Sequence, residues 1–446
     1  MDLELRKYQK ELLAYHLREP RSIDTSACGT GKSAIMSRWI YTRNLIDGCK
    51  TIFIMPSSLF IKNKDDVLLW SGWSEDEVRI CTGTPKKREE IYKNSKVKCF
   101  IMSGETFASE WEKLKQFQPS INAVCVDEVQ MLFSTHTSKR TQSMYRSSRV
   151  IKYFLFCSGT VIDGRYSSLY PLFAVIEPRW YGSYNNFLRY HGVYNSYGSI
   201  VAWTRPERIK KILNICSKGV TLKDAYPNQA ENIITVEKCF FDENHKQAYK
   251  ELEEDALLEL RDEYLETNNP LVKSIKCRSL LSSPESFDLP KPIKINGKDE
   301  MIKTHLERAL MNNERVLIFS CFNSEQERLS KLAKKLGCRV DVINGNVSGL
   351  KRGEIDKRFR EHELDVVIGS PSCMCVGFNM EYVSEIIFSN LDYKNSNFIQ
   401  GIYRGNRGTR KEPLPVYILS YGTKVEKRIM NIITRKENEL KKVFEQ

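Results

Sequence analysis

Short apolar runs separated by stretches of helical periodicity set the rhythm of this chain. Up to about residue 165 the runs are Thr51–Pro56, Lys98–Ser103, Ala123–Val126 and Tyr153–Cys157. Each is too short for a helix and shows little polar alternation, the pattern of strands covered on both faces of a parallel sheet. The rhythm returns after about residue 300 in Val316–Ser320, Arg339–Ile343, Val366–Ser370, Glu385–Ser389 and Val416–Ser420. Two α/β lobes are therefore expected, each a parallel sheet flanked by helices. The chain between them differs in kind. It is aromatic and basic from Arg179 to Lys211, helical and charged from Asn244 to Thr267, and turn-rich at Pro227 and Pro284–Pro290. We read it as a helical insertion with an interlobe connection, which gives domains at 1–165, 166–296 and 297–446. An amphipathic helix is expected over Lys424 to Lys442. No low-complexity tract or short-period repeat interrupts the pattern.

Composition narrows the partners. The 446 residues exceed one ordinary core, and 41% hydrophobic content supplies the apolar side chains for more than one. A net charge of +13 favours a polyanion, nucleic acid before membrane, because Lys and Arg displace the counterions condensed on phosphates. The 13 cysteines are scattered singly apart from Cys373 and Cys375, and with six histidines no spacing resembles a metal site. Cys125, Cys157 and Cys321 sit in apolar runs, as small buried hydrophobes do in a reducing compartment. No run approaches the roughly 18 apolar residues of a membrane span, and the start of the chain has no apolar signal segment. A soluble, cytoplasmic protein is expected.

Three groups of residues carry chemistry. Gly29-Thr30-Gly31-Lys32-Ser33 has the parts of a phosphate cradle: a glycine-rich turn, backbone N–H groups at a helix N-terminus, a Lys for the β/γ-phosphates and a hydroxyl for Mg²⁺. Ser26 stands where the strict pattern has Gly. The run Ala123–Val126 ends in Asp127-Glu128, and two carboxylates at the end of a buried strand are costly unless they have a task. Asp127 can hold Mg²⁺ while Glu128 orients and deprotonates the attacking water, with the phosphate loop expected on the neighbouring strand. Gln400, Arg404 and Arg407, spaced four and then three, share one face if helical, and guanidiniums among Gly401, Gly405 and Gly408 suit a triphosphate. Together these imply an ATPase using ATP and Mg²⁺.

The motifs resemble, in order, those of a superfamily 2 helicase or translocase of the Swi/Snf-related group. Leu5-Arg6-Lys7-Tyr8-Gln9 is similar to the group's opening motif, whose Gln reads adenine. Met55–Leu59 resembles motif Ia, Ser103–Phe107 motif Ib, Asp127–Gln130 motif II and Ser158-Gly159-Thr160 motif III. Val316–Ser320 falls at motif IV, Gly377-Phe378-Asn379 at motif V and Gln400–Arg407 at motif VI. Leu172–Phe187 looks like the group's first helical protrusion, and Tyr226–Tyr249 like the strand and helix that follow it. The resemblance implies two RecA-like lobes in tandem with a helical insertion between them. It also implies ATP in the interlobe cleft and Arg404 and Arg407 reaching the γ-phosphate on closure. Tyr8, Gln9, Gly29, Thr30, Gly31, Lys32 and Ser33 become the nucleotide site. Lys32, Asp127, Glu128, Gln400, Arg404 and Arg407 become the catalytic set, and Ser33 and Asp127 the metal ligands. Ser58, Glu105, Gln130, Ser158, Thr160, Gly377 and Asn379 become the DNA-contact and coupling residues. Gln130 replaces the group's usual His, and Met374 and Cys375 replace two glycines before motif V.

A compact engine of this kind resembles small phage-encoded helicases implicated in branch migration. The expected function is an ATP-dependent DNA helicase or translocase on branched or forked duplex, monomeric, in recombination, repair or replication. The alternatives are a superfamily 2 RNA helicase, a duplex translocase that does not unwind, or a DNA-binding scaffold. The aromatic-basic run from Arg179 to Arg205 is expected to form mainly the small core of the protrusion, with a few exposed rings on nucleic acid. Thr135–Thr141 reads as a polar basic loop.

Overall fold

The computed structural model describes residues 4–159, 165–254, 257–259, 264–266, 269–374, 380, 382–406 and 410–444. Two compact units divide the chain: unit one is Met1–Pro227 with Lys436–Gln446, and unit two is Asn228–Arg435.

In unit one the strands are β1 (Arg21–Asp24), β2 (Lys50–Ile54), β3 (Val78–Ile80), β4 (Cys99–Met102), β5 (Ile121–Val126), β6 (Tyr153–Cys157), β7 (Gly192–Tyr194), β8 (Ile200–Trp203) and β9 (Ser217–Lys218). All but β7 and β8 join one parallel sheet in the order β3-β4-β2-β5-β6-β1-β9. β4 and β6 are buried at every position, which is why their sequences lack alternation. Three helices matter to the site: α1 (Lys7–Arg18), α2 (Lys32–Asp47) and α3 (Phe60–Ser71). β7 and β8 pair antiparallel as a separate hairpin inside the aromatic-basic segment, where only helix was expected. Tyr194, Val201 and Trp203 are strand formers, and Asn195 and Gly198 make the turn.

In unit two the strands are β10 (Asn232–Lys238), β11 (Leu257–Glu259), β12 (Tyr264–Glu266), β13 (Val316–Phe319), β14 (Val340–Ile343), β15 (Val366–Gly369), β16 (Glu385–Phe388) and β17 (Leu414–Ser420). Its parallel sheet runs β10-β17-β16-β13-β15-β14. Alternate residues of β13 feed different cores: Val316 and Ile318 on one face, Leu317 and Phe319 on the other. The helix expected from Asn244 to Thr267 spans Glu243–Glu254 only, and β11 pairs antiparallel with β12 beyond it. Of those six residues only Tyr264 is a strand former, while Leu and Glu favour helix, which is why the stretch reads as helical in sequence. The amphipathic helix at Lys424–Phe444 is present. No helix among the described residues is long and apolar enough to cross a membrane.

Candidate active site

The phosphate loop leaves β1 at Asp24 and ends at Gly31, the N-cap of α2. Gly29 and Gly31 have φ of 87° and 82°, a left-handed backbone that explains both glycines. The turn is built on Asp24, whose buried Oδ1 accepts from Ser26 N at 2.8 Å. Ser26, the departure from the strict pattern, has a structural use: its hydroxyl accepts from Val220 N at 3.3 Å, while Ala27 N donates to Val220 O at 2.9 Å. A Cβ on Gly219 would lie 2.4 Å from Thr25 Oγ1, so only glycine lets that segment lie against the loop. Lys32 Nζ donates to the carbonyls of Ser26 and Ala27 at 2.8 and 3.0 Å. Burial pulls its pKa down, but Cys28, Asp24, Glu128 and Asp127 outweigh burial and hold the ammonium above the ordinary lysine value.

The first helix clamps the same loop. Gln9 Nε2 donates to Thr30 O at 3.3 Å, its Oε1 accepts from Arg6 N at 2.9 Å, and Tyr8 OH donates to Thr30 O at 2.8 Å. Tyr226 completes the clamp. Its hydroxyl donates to Gly29 O at 3.2 Å and its ring lies 4.8 Å beneath the Arg6 guanidinium.

β6 lies between β5 and β1, so the phosphate loop is not on the strand next to the acidic pair, as the sequence had led us to expect. The two meet across the end of β6. Ser158 N donates to Asp24 O at 3.1 Å, and a Cβ on Gly159 would come within 2.8 Å of Cys28 Sγ and 3.4 Å of Lys32 Nζ. Motif III thus abuts the phosphate loop. Thr160 lies outside the described residues.

Asp127 and Glu128 are both buried. Burial and then the Glu128 carboxylate push Asp127 up to about 6, against Lys62, Lys32 and a hydrogen bond from Asn63. Asn63 Nδ2 donates to Asp127 Oδ2 at 3.1 Å, and Lys62 Nζ donates to Ser33 Oγ at 3.3 Å. Glu128 sits at φ 52°, where the chain turns sharply out of β5 into the short helix Val129–Leu132. Gln130 Nε2 donates to Glu128 Oε2 at 2.6 Å, so the residue replacing the usual His still holds the glutamate. Among the described residues no cluster of His, Cys, Asp and Glu forms a metal cage. Ser33 and Asp127 instead offer the one hydroxyl and one carboxylate that suit Mg²⁺ bound largely by water and phosphate. The raised pKa of Asp127, a carboxylate short of compensating charge, fits that role.

Ser58 and Glu105 lie on the surface of unit one. Glu105 accepts from Arg140 at 2.9 Å, and Arg140 is in the first turn of a helix, Lys139–Ser147, capped by Ser138; the expected loop after motif II therefore ends sooner. In unit two, Gln400 and Arg404 fall four apart on the helix Asn395–Gly405. That helix ends at Gly405, and Arg407, Gly377 and Asn379 lie outside the described residues. Gly401 and Gly405 have a packing role: Cβ atoms there would meet the Phe319 ring at 3.1 Å and Val383 at 2.8 Å.

Sequence reasoning missed Asn63, Lys62 and Tyr226. Asn63 had a signal, since it takes a buried position on α3 in register with Phe60 and Val67. A polar residue on an apolar helical stripe asks for a buried partner.

Residues 6–285 match the SNF2-related domain, and residues 297–409 match the helicase conserved C-terminal domain. Among solved structures the chain is similar to Saccharomyces cerevisiae Dbp5 bound to RNA and ADP BeF3, at 14% identity, covering 98% of this chain and 88% of that one with a TM-score of 0.58. A point variant of Dbp5, also bound to RNA and ADP BeF3, matches at 14% identity over 97% and 88% with a TM-score of 0.57. The Sulfolobus solfataricus SWI2/SNF2 ATPase core in complex with dsDNA matches at 16% identity over 100% and 98% with a TM-score of 0.45. The Dbp5 likeness is one of fold, the tandem pair of parallel-sheet lobes. The SNF2-related match covers more than half of the chain, which therefore belongs to the SNF2-related, Swi/Snf-like group of ATP-hydrolysing superfamily 2 helicases and translocases.

Proposed function

We propose that the chain is an ATP-driven motor on DNA that acts at branched or forked duplex, in branch migration and fork processing. The observation that supports the ATP-driven part most is the convergence of Lys32, Ser33 and the Asp127–Glu128 pair around the carboxyl end of one sheet, with Gln9 clamping the loop. When bound, ATP with Mg²⁺ supplies the phosphoanhydride and the cation that spreads its charge. Ser33 and Asp127 would hold the metal. Lys32 carries its ammonium to the phosphates, and the N–H groups at the start of α2 face the same anion. Glu128 orients the attacking water and takes its proton while Gln130 holds the carboxylate in place. Gln9 reads the base. Gln400, Arg404 and Arg407 supply the transition-state charge, and Ser58, Glu105, Ser158, Thr160, Gly377 and Asn379 serve DNA contact and coupling. The basic charge of the chain favours backbone contacts, hence tolerance of sequence and preference for DNA shape.

The test is steady-state ATP hydrolysis by the purified protein, alone and with single-stranded DNA, blunt duplex, forked DNA, a four-way junction and RNA. Strongest stimulation by forks or junctions supports the reading. Stimulation by RNA alone sinks it in favour of an RNA helicase, and equal stimulation by every duplex leaves a translocase without branch preference.

A further inference from the structure

The aromatic-basic segment divides into a buried part and a presented part. Phe187 is buried, and Trp180, Tyr181, Tyr184 and Trp203 pack against the core of unit one. The β7–β8 hairpin does the opposite. Residues 193–199 are exposed throughout, and Tyr197, at the turn, is 91% exposed. Isolated exposed aromatics are ordinary, but this one is held on a braced turn. Asn195 Oδ1 accepts from Tyr197 N and Ser199 N at 3.1 and 2.9 Å, Asn195 N donates to Ser199 O at 3.0 Å, and Gly198 supplies the left-handed residue at φ 75°.

The base of the hairpin is equally fixed. Thr204 N donates to His191 O at 2.8 Å, the buried His191 ring pairs with Tyr181 OH at 2.7 Å, and Trp203 packs on Tyr166 with ring centroids 5.6 Å apart. A two-stranded ribbon this short is marginal alone, so the anchoring is what keeps it formed. The segment that carries it is basic: from Arg179 to Lys218 stand seven basic side chains and one acidic one, with Arg179 paired to Glu177 just before it, in a chain whose net charge is +13. Arg205 lies 4.3 Å over the ring of the exposed Tyr190, adding a second flat cationic-aromatic surface near the hairpin base.

Exposed rings carried on a braced turn of a basic segment match unpaired nucleic acid: phosphates answer the charge, and every base offers a face for stacking whatever its sequence. We propose that the β7–β8 hairpin, with Tyr197 at its turn, is a stacking element for the bases of an unpaired DNA strand at the branch of the substrate. This rests on the reading of the chain as a DNA motor. The hairpin would distinguish a branch from continuous duplex, where stacked bases present no free face.

The experiment compares wild type, Tyr197→Ala and Tyr197→Phe in binding blunt duplex, a fork with unpaired arms, and the same fork carrying 2-aminopurine beside the branch. Because Tyr197 touches little of its own protein, the alanine variant keeps the fold. The expected result is about tenfold weaker fork binding by Tyr197→Ala, with loss of the 2-aminopurine change, unaltered duplex binding, and retention of both signals by Tyr197→Phe. Fork binding and 2-aminopurine signal equal to wild type in Tyr197→Ala would overturn the hairpin assignment alone, leaving the motor reading intact. Failure of wild type to bind any of the DNAs would overturn both.

Discussion

The side-chain amide of Asn63 donates to Oδ2 of Asp127 across 3.1 Å, with both residues buried. It is a neutral donor to a carboxylate that burial and Glu128 have already pushed up to about 6, so it opposes that shift and fixes the rotamer of Asp127. Asn63→Ala is expected to lower ATP turnover by roughly 10–100-fold, the usual cost of losing a group that orients a metal ligand, and to raise the Mg²⁺ concentration needed for half-maximal rate. Asn63→Asp, which sets a third carboxylate beside the pair, should do worse. Turnover and Mg²⁺ dependence equal to wild type in both variants would show that Asp127 is positioned without it.

Gly31 is bound by two constraints that can be separated. Its φ of 82° disfavours any side chain, and a Cβ would lie 2.5 Å from Gln9 Nε2. Gly31→Ala should therefore cost stability, about 1–2 kcal/mol from the backbone alone, and weaken ATP binding by displacing Gln9. In a Gln9→Ala background the clash disappears and only the backbone term remains. The double-mutant cycle, read by urea unfolding, should give a favourable coupling; strict additivity would mean that Gln9 moves aside without cost.

How much of this was legible in the sequence depends on whether a residue's task is local. The apolar runs became β2, β4, β5, β6 and five strands of the second sheet because burial on both faces leaves an unbroken apolar signature. β1 escaped notice. Arg21–Asp24 contains one apolar residue, and its buried Ser22 and Asp24 are tolerated because Ser22 Oγ pairs with His16 Nδ1 at 2.9 Å and Asp24 binds Ser26 N. β9, two residues long, has no pattern to read. At the site, Lys32, Ser33, Asp127 and Glu128 were visible because each motif is contiguous. Tyr226 was not, since it meets Gly29 from 197 positions away and nothing beside it announces the contact. The place of β6 between β5 and β1 is likewise a property of topology, which no single segment encodes.

In unit two the buried His305 bridges two acids. Its Nε2 pairs with Glu237 at 2.9 Å and its Nδ1 with Glu385 at 3.2 Å, while Arg308 also binds Glu385 and the Tyr417 ring lies 4.4 Å away. Burial lowers its pKa, but the two carboxylates outweigh burial and raise it above the ordinary 6.5. With the folded value above the unfolded one, the stabilisation is complete below about 6.5 and fades as pH rises through the raised value. His305→Gln should thus lower Tm more at pH 6 than at pH 9, the difference being about 4 °C for each 1–2 kcal/mol. A deficit that does not change with pH would mean that the ring is neutral in the folded protein.

Lys32 and Glu128 should fail in different ways. Lys32→Ala removes the charge that the phosphate loop brings to the nucleotide, so both ATP affinity and turnover should fall, with DNA binding preserved. Glu128→Gln keeps the shape, the left-handed backbone and an oxygen that accepts from Gln130, but can no longer take a proton. Turnover should drop by about 10²–10⁴ while ATP and DNA binding persist. It also removes the like charge that helps push Asp127 up to about 6. Relief of that repulsion between two buried carboxylates should make the inactive variant more stable to heat than wild type at neutral pH, the expected sign when a site is strained for its chemistry. Calorimetry and single-turnover hydrolysis on the same preparations check both halves. A Glu128→Gln protein that hydrolyses ATP at the wild-type rate would remove Glu128 from the chemistry, and one that is inactive but less stable would show that its carboxylate holds the turn rather than straining it.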